Sequence, residues 1–187
     1  MTEIVATKTV FGGWAKLSVA SVRGDDGEMF ERVIEDHGSA ACVLPYDRVR
    51  KTAILVRQFR APVRAKSEQA DLLEAIAGLT DGEDPKIAAA REAFEEAGLR
   101  LATLDYVSTA WTMPGVSTER MSLYLAQYTL SNREGGGGGQ AKENENITVV
   151  EMPLGELAAM VDAGTLDDLK TIALVQTLRL RDPALFV

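Results

Sequence analysis

The sequence predicts an α/β fold with an antiparallel β-hairpin at its N-terminus, and two patterns carry that prediction. Apolar residues alternate with period two from Lys16 to Val22, and the turn signal Gly24–Gly27 follows, as expected for a hairpin. The segment Pro85–Ala97 is rich in Ala and Glu and is followed by Gly98, which is typical of a helix and its C-terminal stop. The length of 187 residues fits roughly one domain.

The remaining elements follow from apolar runs and their boundaries. Residues 1–36 form a β-rich segment in which 28–35 is the return strand of the hairpin, and residues 37–187 form the main domain. Further strands are predicted at 40–46, 52–58, 71–76, 104–111, 121–129 and 147–152, and further helices at 153–163 and 168–181.

Five consecutive glycines, Gly135–Gly139, lie in the polar segment 131–146. Phosphate-binding loops need spaced glycines that lead directly into a helix, whereas this run leads toward a strand. We therefore predict a mobile loop rather than a phosphate cradle.

The charge balance limits the classes of partner. The chain has 20 Lys and Arg against 28 Asp and Glu, a net charge of −8, which argues against a nucleic acid or an anionic membrane as partner. A phosphate-bearing substrate then needs local cations or a metal. The sequence has no signal-peptide pattern and no apolar run long enough to span a membrane, so we expect a cytoplasmic protein.

The chemistry-bearing stretch is Arg91–Leu99 within the predicted helix. Helical spacing places Glu92 three residues from Glu95 and four from Glu96, so the three carboxylates project from neighbouring positions. Like charges at this spacing repel one another, and a divalent cation that prefers oxygen ligands, such as Mg²⁺, would reverse that effect. Three glutamates on one helix face are also common on solvated surfaces. The choice between a metal site and a solvated surface therefore depends on the complete sequence string around them.

The complete string resembles the Nudix box, G-x5-E-x7-R-E-U-x-E-E-x-G-U, over residues 78–99. The matching positions are Glu83, Arg91, Glu92, Glu95, Glu96, Gly98 and Leu99, with Ala93 as a weak first U. Gly78 precedes Glu83 by one residue fewer than the pattern requires. This contraction is similar to that of the GDP-mannose hydrolases of the superfamily, whereas ADP-ribose pyrophosphatases keep the full spacing.

The similarity to that branch continues outside the box. It covers a strand with a substrate-contacting arginine (55–60), the segment leading into the box (74–79), a proline-containing loop shared with ADP-ribose pyrophosphatases (113–119), a loop bringing a distant glutamate (145–147) and the start of the last helix with a substrate-contacting lysine (169–171).

The resemblance implies an α/β/α sandwich with a mixed sheet, and it implies a set of metal ligands. The ion is Mg²⁺, with Mn²⁺ as a possible substitute. Side-chain ligands are Glu92, Glu96 and Glu145, with Glu95 as an additional or water-mediated ligand. Ala77 contributes its backbone carbonyl.

The resemblance also implies roles in catalysis and substrate binding. Arg91 orients a box glutamate such as Glu83, and the general base is Glu145, Glu143 or Glu96. The lone histidine, His37, is expected to be structural. Substrate contacts are expected from Arg60, Lys170, Trp14, Arg32, Gly78 and Leu79. Structural ion pairs remain the alternative for Arg60 and Lys170, and packing for Trp14.

Three functions stay open at this point. The first is Mg²⁺-dependent hydrolysis of a nucleoside diphosphate sugar, with GDP-mannose favoured and GMP and mannose 1-phosphate as products. The second is the same reaction on ADP-ribose, giving AMP and ribose 5-phosphate. The third is a domain that binds a nucleotide without cleaving it. The branch also implies a homodimer with exchanged N-terminal strands, in which Glu31 or Arg32 reaches the neighbour's site.

Overall fold

The computed structural model of the chain describes residues 1–69, 71–140 and 146–187. The chain divides into two compact units, one made of residues 1–40 and 109–121 and the other of 41–108 and 122–187. The domain boundary predicted after residue 36 stays a prediction. Within the described residues, no helix combines the length and the apolar character that crossing a membrane requires.

The first unit contains a three-stranded antiparallel sheet in the order β1-β2-β3. Its strands are β1 (Glu3–Gly12), β2 (Lys16–Arg23) and β3 (Met29–Asp36). The predicted hairpin is confirmed as β2 and β3, and Ala20 and Val22 of β2 are buried, as period-two alternation requires. Strand β1 adds a third member whose residues are all exposed.

The larger sheet has seven strands, in the order β10-β5-β4-β9-β8, with β6 paired to β5 and β7 paired to β4. Its strands are β4 (Ala40–Asp47), β5 (Thr52–Phe59), β6 (Asp71–Glu74), β7 (Ile76–Leu79), β8 (Asp105–Trp111), β9 (Arg120–Gln127) and β10 (Thr148–Pro153). Strand β4 is buried along its whole length, including Cys42, as its continuous apolar run predicts.

The strand predicted at 71–76 is in fact two short strands on different partners. Strand β6 pairs with β5 and β7 pairs with β4. The break falls at Ala75, whose N–H donates to Thr171 Oγ1 at 2.6 Å rather than to a neighbouring strand. A side-chain acceptor from a distant helix therefore ends one ladder and lets the chain change partner.

Among the described residues, four α-helices accompany the sheet: α1 (Ala61–Arg64), α2 (Pro85–Ala97), α3 (Leu154–Asp162) and α4 (Leu169–Arg181). The bounds predicted for α2 are confirmed. Asp84 caps its N-terminus by accepting from the Lys86 N–H at 2.8 Å, and Gly98 ends it with a φ of 66°.

Alanines place α2 against the sheet. Its Ala88, Ala89, Ala93 and Ala97 are fully buried in one core with Val43 and other side chains of β4 and β5. Small side chains on this face allow the helix to lie close to the strands. The glutamates on the remaining positions are thereby held on a rigid support.

Candidate active site

The three box glutamates lie near the C-terminal end of α2 and differ in exposure. Glu96 is 1% exposed, while the side chains of Glu92 and Glu95 are 12% and 25% exposed. A buried carboxylate needs compensation from neighbouring groups or a cation. The helix thus concentrates negative charge at one partly enclosed place.

Arg91 forms ion pairs with two glutamates of this cluster, Glu92 and Glu95, and with Glu83 in the loop before α2. Its Nη1 lies 2.7 Å from Glu92 Oε1 and 2.9 Å from Glu95 Oε2, and its Nε lies 3.1 Å from Glu83 Oε2. Its Nη2 donates to the Leu79 carbonyl at 3.0 Å. Burial lowers the pKa of the Arg91 guanidinium, but the three carboxylates outweigh burial and raise it. These are the contacts that an orienting role for Arg91 needs.

Gly78 allows Glu92 to approach strand β7. A Cβ at Gly78 would lie 2.0 Å from Glu92 Oε1, so the carboxylate occupies the space of the missing side chain. Ala77, the expected backbone ligand, is the preceding residue of the same strand. The glycine therefore brings a carboxylate next to the stretch of backbone that carries the Ala77 carbonyl.

The donor set fits a hard divalent cation in its chemistry, because it consists of carboxylates and a backbone carbonyl. Across residues 1–69, 71–140 and 146–187, no three or more acidic, His or Cys side chains gather closely enough to hold an ion. Within this cluster, Arg91 pairs with both Glu92 and Glu95. Glu143 and Glu145, the other predicted acidic groups, lie outside the described residues.

The glycine run packs against the C-terminal end of α2, and the mobility predicted for the segment 131–146 stays a prediction. The N–H groups of Gly138 and Gly139 donate to the carbonyls of Glu96 and Glu95, at 2.9 and 3.2 Å. A Cβ at Gly137 would lie 2.3 Å from the Glu96 carbonyl oxygen. The absence of side chains thus lets the glycine backbone lie close to the helix. Its N–H groups bond to carbonyls that have no partner within the helix at its C-terminal end.

A second charged cluster joins β6 to α4. Glu74 is 1% exposed and accepts from Arg60 Nε at 2.7 Å and from Arg60 Nη2 at 2.8 Å. Lys170 Nζ lies 2.5 Å from Glu74 Oε2 and 2.9 Å from Asp168 Oδ1. Arg60 and Lys170, both predicted to bind substrate, are therefore brought to one carboxylate.

Asp168 and Thr171 anchor this cluster to the backbone. Asp168 caps α4 by accepting from the Thr171 N–H at 3.1 Å, and it also accepts from the Thr171 hydroxyl. Thr171 Oγ1 in turn accepts from the N–H of Ala75, the residue after Glu74. The start of α4 thereby fixes the junction of β6 and β7.

Mutual pairing determines the charge states in this cluster. Burial raises the pKa of the Glu74 carboxyl, but Arg60 and Lys170 outweigh burial, and the pKa is lowered overall. Burial likewise disfavours the Lys170 ammonium, yet Glu74 and Asp168 raise its pKa above its usual value. The Arg60 pKa is raised by its hydrogen bond to Glu74 and also by the charge of Glu96, which links the cluster electrostatically to α2.

The remaining expected substrate contacts, Trp14 and Arg32, belong to the first unit. Trp14 stacks on His37 with ring centroids 5.1 Å apart and an interplanar angle of 15°, and it is 78% exposed. The Arg32 guanidinium lies 4.4 Å from the centre of the Phe30 ring. The role of Trp14, substrate stacking or packing, stays a prediction.

His37 lies between two carboxylates of the first unit. Its Nδ1 is 2.5 Å from Glu35 Oε1 and its Nε2 is 3.4 Å from Glu119 Oε1. Burial lowers the pKa of the imidazole, but both carboxylates outweigh burial and raise it. The Glu35 pKa is lowered despite burial, because Ser117 and His37 hydrogen-bond to the carboxylate.

We expect this pairing to make stability depend on pH. Because the pKa of His37 is raised in the folded state, the histidine stabilises the folded protein. This stabilisation is complete below the unfolded pKa of about 6.5 and is lost as pH rises through the folded pKa. Because the pKa of Glu35 is lowered in the folded state, the stabilisation from Glu35 is lost as pH falls through its folded pKa. Wild type should therefore exceed His37→Gln by roughly 2 °C in Tm near pH 6, with the difference shrinking toward pH 9. A difference that stays constant over this range would contradict the ion pair.

Sequence reasoning missed Glu74, Asp168 and Thr171. A signal for Glu74 was available, because it is a charged residue inside an otherwise apolar run, and a buried charge must find partners. Asp168, the first residue of the helix predicted at 168–181, is of a type that favours the N-cap position, and it caps the observed helix. Nothing local indicated that Thr171 receives a hydrogen bond from Ala75, 96 positions earlier.

The family model described as NUDIX domain matches residues 36–175. This match covers most of the chain and includes the whole box and the Glu74 cluster. The chain therefore belongs to the NUDIX family, and the fold and the family predicted from the box are confirmed.

Two relatives and one solved structure show which proteins of known description this chain resembles. It is 39% identical over 159 residues to "GDP-mannose pyrophosphatase" of Cronobacter sakazakii, which covers 83% of this chain and 82% of that protein. It is 37% identical over 179 residues to "GDP-mannose pyrophosphatase" of Pectobacterium atrosepticum, which covers 93% and 92%. The "Crystal structure of ADP compounds hydrolase" shares the fold, with a TM-score of 0.78, 19% identity and coverage of 98% and 95%.

Proposed function

We propose that this protein hydrolyses the diphosphate bond of a nucleoside diphosphate sugar, with GDP-mannose as the favoured substrate and GMP and mannose 1-phosphate as products. The observation that carries the proposal is the set of carboxylates on and before α2: Arg91 pairs with Glu83, Glu92 and Glu95, and Glu96 is buried on the same helix. The relatives named GDP-mannose pyrophosphatase, 34–39% identical to this chain, support the choice of substrate.

The residues of the site supply metal binding, positioning, substrate binding and proton transfer in this reaction. Glu92, Glu96, Glu145 and the Ala77 carbonyl would hold Mg²⁺, with Glu95 assisting. When bound, the ion would offset the phosphate charge and lower the pKa of a water nucleophile. Arg91 keeps Glu92 and Glu95 in place, and Arg60 and Lys170 donate to the diphosphate. The base that accepts the water proton is Glu96, Glu145 or Glu143.

Hydrolysis of ADP-ribose is the second candidate function. The loop 113–119 resembles that of ADP-ribose pyrophosphatases, and the structural neighbour is described as an ADP compounds hydrolase. Binding without cleavage is disfavoured, because a domain that no longer cleaves has no need for Arg91 and all three glutamates of α2.

A substrate panel tests the proposal. We expect purified protein with Mg²⁺ to release product fastest from GDP-mannose, more slowly from GDP-glucose, ADP-ribose, ADP-glucose and UDP-glucose, and not at all in EDTA. A maximum on ADP-ribose would keep the reaction and change the substrate. No turnover of any of these compounds would contradict the hydrolase assignment.

The proposal includes a cytoplasmic homodimer with exchanged N-terminal strands. Support comes from β1, which exposes Ile4, Val10 and Phe11 at the edge of the three-stranded sheet. Apolar residues on an exposed strand edge favour pairing with another chain. A monomeric mass by light scattering at micromolar concentration would contradict the dimer.

A further inference from the structure

We propose that Glu74 is a positioning residue, which holds the Arg60 guanidinium and the Lys170 ammonium in one fixed arrangement toward the diphosphate of the substrate. This inference rests on the proposed function. It assigns a task to a buried carboxylate that is neither part of the box nor one of the expected metal ligands.

The geometry at Arg60 supports a positioning role. Glu74 receives two hydrogen bonds from the Nε edge of the guanidinium, which fixes the plane of the group. A guanidinium has five N–H donors, so three remain after these two bonds. The Arg60 side chain is 39% exposed. It is therefore accessible to solvent while Glu74 fixes its orientation.

Lys170 is restrained in the same way from a second direction. Its ammonium has three donors, and Glu74 and Asp168 take two of them. The side chain is only 13% exposed. A lysine of this kind presents its remaining donor in a defined direction, whereas an unrestrained lysine loses rotamer freedom when it binds.

The carboxylate is itself held firmly. Glu74 is the last residue of β6, and the next residue, Ala75, donates its N–H to Thr171 at the start of α4. Asp168, which caps that helix, is also the second partner of Lys170. Strand, helix start and both cations therefore form one closed network of hydrogen bonds.

The net charge of the cluster distinguishes two roles for Glu74, positioning the two cations and merely balancing their charge. Arg60 and Lys170 carry two positive charges, and Glu74 and Asp168 carry two negative charges, so the cluster is neutral. If Glu74 only balanced charge, its removal would leave a net positive cluster that binds a diphosphate more tightly. A positioning role predicts the opposite, because the two cations lose their fixed arrangement.

The test is Glu74→Gln, which keeps the size of the side chain and removes its charge. We expect KM for GDP-mannose to rise about tenfold with kcat within about threefold, since the cations bind ground state and transition state alike. The Mg²⁺ concentration for half-maximal activity should not change. Glu151→Gln is the matched control, because Glu151 also pairs with an arginine, Arg50, and accepts from Tyr128 and Thr52 but has no task in the proposed reaction.

Three results would overturn the inference. An unchanged or lower KM, with a loss of Tm similar to that of Glu151→Gln, would make Glu74 structural or a counter-charge. A fall in kcat with an altered Mg²⁺ requirement would place Glu74 at the metal site. Failure of Glu74→Gln to weaken GDP binding, measured by calorimetry with Mg²⁺, would exclude positioning directly.

The calorimetric measurement also keeps this inference separate from the proposed function. Wild-type protein that binds GDP but cleaves no sugar nucleotide would contradict the proposed hydrolysis, and the comparison with Glu74→Gln would still test the role of Glu74. Wild-type protein that neither binds GDP nor cleaves a sugar nucleotide would overturn both.

Discussion

Glu96→Gln is expected to lower kcat/KM by at least about 100-fold, because it removes both an expected metal ligand and a candidate base. Glu96 is almost fully buried on α2, and Gln matches its size. The substitution also removes one of three like charges on a helix. We therefore expect Tm to stay within a few degrees of wild type, so that the loss is one of chemistry rather than folding. Kinetics with saturating Mg²⁺ and a thermal melt measure the two effects.

Glu156→Gln provides the control for this experiment. Glu156 is an exposed residue in the first turn of α3 and has no task in the proposed reaction, so its activity should match wild type. Activity of Glu96→Gln above about a tenth of wild type would show that Glu96 is neither ligand nor base.

Gly137→Ala is expected to destabilise the protein by about 2 kcal/mol or more. The residue has a φ of 67°, and an added Cβ would lie 2.3 Å from the Glu96 carbonyl oxygen and 2.6 Å from the Ala97 Cα. Both atoms belong to backbone, which yields less readily than the end of a side chain. Chemical denaturation measures the loss, and activity should fall with it, because this contact supports the end of the helix that carries Glu95 and Glu96.

Gly136→Ala is a closely matched control within the same glycine run. No atom lies within 4 Å of a Cβ added there, and the φ of Gly136 is not in the left-handed region. We expect a free energy of unfolding within about 0.5 kcal/mol of wild type. Equal losses in the two variants would mean that the run has no close packing against α2.

The features predicted well from sequence are those with local signals. Both ends of α2 follow from residues at the ends themselves, Asp84 and Pro85 at the start and Gly98 at the end. The arrangement of the box glutamates follows from helical periodicity once the helix is known. The family followed from the same short string, because its spacing is specific.

The features missed depend on distant partners. Glu74 pairs with Arg60 and Lys170, which lie 14 and 96 positions away, and no local pattern joins them. The glycine run donates hydrogen bonds to carbonyls at the end of α2, a contact that its composition did not indicate. Strand β1 lies in the segment predicted to be β-rich, but its pairing with β2 was not predicted.

The exposed strand β1 has a practical consequence for handling the protein. An edge strand offers unpaired N–H and carbonyl groups to any other chain, and here the edge is ten residues long and carries Ile4, Val10 and Phe11. In the proposed homodimer the partner's strands would cover this edge, and dissociation would uncover it. The protein should then aggregate most readily on dilution below the dissociation constant of the dimer, and concentrated stocks would be the safer ones to store.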